Sequence, residues 1–83
     1  MKKFIAYKTD IKHTADIVEA FSNSIDKNIK NCTSSILHID EFLKNGIPEN
    51  IDGIITLGIL RGTGHLLKEA AKKNIDRYYI DHA

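Results

Sequence analysis

The chain has 83 residues, room for one domain and one core. At this size only roughly 60 to 65% of the unfolded surface is buried, so the core stabilises the fold narrowly. Twelve Lys and Arg against eleven Asp and Glu give a net charge of +1, which argues against a protein that coats a polyanion, so no nucleic-acid partner is expected. Cys32 has no second cysteine to pair with, and the apolar run Phe4-Ile5-Ala6-Tyr7 stops at Lys8, far short of signal-peptide or membrane-spanning length. A cytoplasmic protein with no membrane association is the expectation.

Lys3 to Lys8 is a short β-rich apolar run with charged flanks and reads as strand β1. Ile17, Val18, Phe21 and Ile25 then recur at helical spacing, with Ala20 alongside, as the apolar side of helix α1. Asp10 or Thr14 can cap its start, and the polar stretch Asp26 to Asn31 breaks its pattern. Thr33 to Ile39 carries Ile36-Leu37 in a Ser- and β-branched context and reads as β2. A short helix α2 follows from Asp40 to Gly46. Asp40 can cap it, Gly46 suits the left-handed residue past its end, and Pro48 stops it.

Gly53 to Ile59 is continuously apolar, as a strand buried on both faces should be, and is β3. From Thr63 or Gly64 to Lys73 runs helix α3. Leu66, Leu67, Ala70 and Ala71 form its buried stripe, Lys68, Glu69, Lys72 and Lys73 face water, and Asn74 closes it. Tyr78-Tyr79-Ile80 gives β4, whose two tyrosines should divide between core and surface.

Alternation of strands and helices predicts an α/β fold: a small Rossmann-like or flavodoxin-like three-layer domain with a four-stranded parallel sheet in the order 2-1-3-4. Right-handed crossovers then put α1 alone on one face and α2 with α3 on the other. One helix cannot shield four strands, so part of the β3-β4 surface is expected to stay open. The chain is therefore expected either to form a homo-oligomer or to be the front of a longer parent domain that lacks its C-terminal region here.

In such a sheet ligands bind beyond the carboxyl ends of the strands where their order reverses, between β1 and β3. Tyr7, Lys8, Thr9 and Asp10 lie there after β1, and Arg61, Gly62, Thr63, Gly64 and His65 after β3. Glycines let backbone approach a ligand, the start of α3 offers unpaired N–H groups, and Arg61 supplies a planar fork for phosphate or carboxylate. The stretch matches neither G-x-G-x-x-G nor G-x-x-x-x-G-K-[ST], and a tight strand-to-helix turn would also use its glycines. The ligand expected is a phosphate-bearing small molecule, with no cofactor. His65 can relay protons, although an exposed imidazole is the simpler reading. Asp81 and His82 follow β4 at the same edge. They can act as a base and its orienting carboxylate, but neighbours on a strand point to opposite faces. His13 and His38 have no Cys or His at metal-ligand spacing, so no metal site is expected.

The stretch Ile51-Asp52-Gly53-Ile54-Ile55-Thr56-Leu57-Gly58, through Arg61-Gly62-Thr63-Gly64 to Tyr78-Tyr79-Ile80-Asp81-His82, resembles the N-terminal domain of GT-B type glycosyltransferases, above all the capsule-polysaccharide and phage-encoded relatives. The resemblance covers about 35 residues. It implies a domain that receives the acceptor while a second domain holds the sugar nucleotide, so this chain alone would lack complete transferase activity. The function expected is an anion-, nucleotide- or sugar-nucleotide-related binding domain. The alternative is a protein-interaction module, for example a small phage protein that binds a host factor through the uncovered sheet face. An enzyme complete in itself ranks last, because no acid, base and nucleophile stand at useful spacing.

Overall fold

Phe4, Ile5, Ala6 and Tyr7 are four consecutive buried residues, which requires a strand covered on both faces. The computed structural model describes residues 1–57 and 62–80 and shows why. Its elements are β1 (Lys2–Lys8), α1 (Lys12–Asn28), β2 (Cys32–His38), α2 (Ile39–Asn45), β3 (Gly53–Leu57), α3 (Thr63–Lys72) and β4 (Asp76–Ile80). The sheet order is β2-β1-β3-β4 and every pairing is parallel, so this is a small Rossmann-like α/β sheet with β1 and β3 inside and β2 and β4 at its edges. Among the described residues no helix is long and apolar enough to cross a membrane.

Register sorts the side chains into two faces. Phe4, Ala6, Ile55 and Tyr78 share the face under α1, whereas Ile5, Tyr7, Ile54, Thr56 and Tyr79 share the face under α2 and α3. The strands start from left-handed turns held by asparagine: Asn31, Asn50 and Asn74 have φ of 60°, 63° and 56° and precede β2, β3 and β4. Asparagine tolerates this conformation because its short amide can bond locally. Asp52 ties the amino edge together. Its carboxylate accepts from Lys3 N at 2.8 Å, its N–H donates to Lys3 O, and its carbonyl accepts from Asp76 N.

Several local expectations are corrected. Helix α1 continues through Asp26 to Asn28, because those polar residues lie on its solvent side, where they interrupt nothing. Its buried stripe is Thr14, Val18, Ser22 and Ile25, while Phe21 stays 44% exposed. Ser22 is inside because its hydroxyl meets that of Ser34 on β2, a polar pair that satisfies itself. Of the stripe expected on α3, Leu66 and Ala70 are fully buried. Leu67 is partly covered and Ala71 is exposed, since the helix lies over β3 and β4 near the sheet border. Tyr78 and Tyr79 are both about half exposed, at 46% and 52%, because β4 is an edge strand.

The uncovered part of the α1 face is a shallow apolar groove of about 180 Å³ lined by Phe4, Phe21, Ile25, Ile29, Ile55 and Tyr78. Phe4 fills part of the gap that one helix leaves. Its ring reaches across β3 toward Tyr78, with centroids 5.4 Å apart. Gly53 permits this, for a Cβ there would stand 2.9 Å from the Phe4 ring.

Candidate functional site

The carboxyl edge is built from the turn after β1, the start of α2 and the start of α3. Thr9 organises the first. Its hydroxyl accepts from Ile11 N at 3.1 Å and meets the Thr14 hydroxyl at 3.0 Å, and Thr14 in turn donates to Ile11 O at 2.8 Å. The residue preceding α1 is Ile11, with no side-chain cap of its own. Neither Asp10 nor Thr14 takes the usual capping role expected of them; the two threonines brace the turn instead.

Asp10 is turned to a different partner. His38, the last residue of β2, accepts the Asp40 N–H on Nδ1 at 3.1 Å, which leaves Nε2 as the proton carrier facing Asp10 Oδ1 at 3.0 Å. His38 is thus the N-cap of α2, a role expected of Asp40, and it links the turns after β1 and β2. Sequence reasoning missed it because histidine is not among the usual caps. The available signal was its place at the end of a strand, just before an acidic first turn.

Tyr7 and α3 meet through Phe42. Tyr7 lies edge-on to the Phe42 ring at 6.1 Å, and His65 lies against the same ring at 5.2 Å. Phe42 comes from α2, so the two sequence-distant stretches are joined by a ring from a third element. The Tyr7 hydroxyl is buried and has no hydrogen-bond partner among the described residues. Burial pushes its pKa from the usual 10.0 up to about 12, since the phenolate would lose its hydration. Lys8 is half-buried, and strand alternation sends it to the α1 side, away from α3.

At the start of α3 the glycines differ in kind. Gly62 has φ of +84°, and a Cβ there would stand 3.0 Å from Leu43 of α2, so backbone and packing both account for it. Gly64 lies within the helix, its φ is not positive, and among the described residues an added Cβ would meet nothing within 4 Å. The fold does not need a glycine there. Gly62, the N-cap of α3, offers no side-chain cap, so among the described residues no N-cap side chain satisfies the first-turn N–H groups. Thr63 is buried, and its side is toward the core. His65 is exposed beyond its contact with Phe42.

Of the residues expected at the site, the structure thus places Tyr7, Lys8, Thr9, Gly62, Thr63, Gly64 and His65 at the carboxyl edge, with Phe42 and His38 as additions. Arg61, Asp81 and His82 lie outside the described residues, as does the end of the strand expected to reach Ile59. Compared with family models, curated proteins and solved structures, the chain matches none.

Proposed function

We propose that the domain binds a phosphate-bearing small molecule at the carboxyl edge between β1 and β3, with the start of α3 as the anion contact. Gly64 carries this reading: it occupies the second position of a helix whose N-cap, Gly62, has no side chain to cap it, and among the described residues neither backbone conformation nor packing asks for glycine. A glycine held at a helix start, with open space over it, lets an anion reach the N–H groups of the first turn. The neighbourhood supports the reading in a second way, through the buried Tyr7 hydroxyl, which has no partner among the described residues. The resemblance to glycosyltransferase N-terminal domains, which receive the acceptor, suggests a phosphate-bearing acceptor as the ligand class, and a nucleoside diphosphate sugar serves as a probe of the same anion contact. The unpaired thiol of Cys32 suits a reducing cytoplasm.

The test uses a substitution with opposite effects on fold and ligand. Gly64→Ala should stabilise the domain by about 0.5 to 1 kcal/mol, because alanine loses less entropy in a helix than glycine. The same methyl group should weaken binding of inorganic phosphate and of a nucleoside diphosphate sugar, read by calorimetry. A stabilised variant with unchanged affinity for both would refute the proposed contact.

A further inference from the structure

The two edges of the sheet are finished differently. On β2 the outward N–H of Ser34 is taken by the Asp26 carboxylate of α1 at 2.8 Å, so a side chain interrupts the middle of that edge. On β4 the Asp76 N–H bonds inward to Asp52 O of the β3 segment. Strand alternation then turns the backbone groups of Asp76, Tyr78 and Ile80 toward β3 and those of Arg77 and Tyr79 outward. Among the described residues nothing bonds to the outward groups of Arg77 and Tyr79. An unblocked edge carrying half-exposed tyrosines is a template for another strand.

We propose that this strand is β4 of a second copy, paired antiparallel about a two-fold axis at Tyr78. The register follows from which groups are free. With Tyr78 opposite Tyr78 of the partner subunit, Arg77 stands opposite the partner's Tyr79, and Tyr79 opposite the partner's Arg77. Every outward backbone group of both strands then finds a mate, and the whole of β4, Asp76–Ile80, overlaps. Centring on Arg77 would set like charges face to face, which is destabilising. In the chosen register each guanidinium meets an aromatic ring instead. Tyr78 forms the non-hydrogen-bonded pair, in which side chains come closest, on the face that carries the apolar groove. The grooves of the two copies become continuous across the axis, and the contact closes as a dimer because both subunits use the same patch. It is independent of ligand binding at the carboxyl edge.

Sedimentation equilibrium on the full chain should show a reversible dimer. Tyr79→Pro removes an outward N–H that β3 does not use, together with the ring that faces the partner's Arg77, so the monomer fold persists by circular dichroism while dimerisation weakens by at least about thirtyfold, the share of one donor lost on each side. Cysteine pairs test the register in a Cys32→Ser background. Tyr78→Cys should oxidise to a covalent dimer, since Cα atoms in such a pair are about 4.5 Å apart. Tyr79→Cys, facing the partner's Arg77, should not. A chain that stays monomeric at high concentration, or one cross-linked by Tyr79→Cys but not by Tyr78→Cys, overturns the proposal.

Discussion

Tyr7 combines two features that pull against each other: full burial on an inner strand and a hydroxyl with no hydrogen-bond partner among the described residues. An unsatisfied buried hydroxyl costs about 1 to 3 kcal/mol, and it is tolerated where packing of the ring against Phe42 outweighs it. Tyr7→Phe should therefore match or exceed the wild type in stability at neutral pH. The alkaline limb separates the two more sharply. With the folded pKa raised to about 12 above an unfolded value of 10.0, the stability tied to this phenol is fully present below pH 10. It is lost as pH rises toward 12, because only the unfolded chain can ionise in that window. The loss is on the order of 3 kcal/mol for a shift of this size. Urea unfolding of both proteins from pH 7 to 12 should show the wild type falling further than Tyr7→Phe; parallel curves would mean that the buried phenol does not titrate as described.

At the scale of elements, α2 depends on its beginning more than on its length. It has seven residues, too few for stability alone, and His38 both caps it and ties it to Asp10. His38→Ala should destabilise the domain by about 1 kcal/mol, the usual value of a cap. His38→Asn keeps a capping acceptor and should recover most of that loss in denaturant titration. Equal loss in both variants would give the weight to the Asp10 link. What the sequence made legible follows from locality. β3 showed as an apolar run and α3 as a periodic stripe, because each element's burial is reported by its own local pattern of apolar residues. Ser22 and His38 did not show, because each is explained by a residue distant in sequence, Ser34 and Asp10. Phe21 looked like core for the same reason, since a hydrophobic residue in a helical stripe gives no sign that the sheet beyond it is uncovered.

For the whole molecule, the order 2-1-3-4 was legible because connection handedness leaves few ways to arrange alternating strands and helices. It also explains why two surfaces stand out. The order reversal opens the carboxyl edge between β1 and β3, where the α3 start and Tyr7 converge on Phe42. The same topology leaves a single helix on one face and hence the groove beside β4. Which residues line the edge was legible in part: topology brought Tyr7 and Gly62 to His65 together, whereas Phe42 entered through tertiary packing alone. The most direct measurement is an amide NMR titration with inorganic phosphate and a nucleoside diphosphate sugar. Binding as proposed shifts the amides of Gly62 to His65 first and those of Tyr7 to Thr9 with them, leaving β4 unmoved. Silence at both loops with either ligand, or shifts confined to β4 and the groove, would contradict the assignment of function to the carboxyl edge.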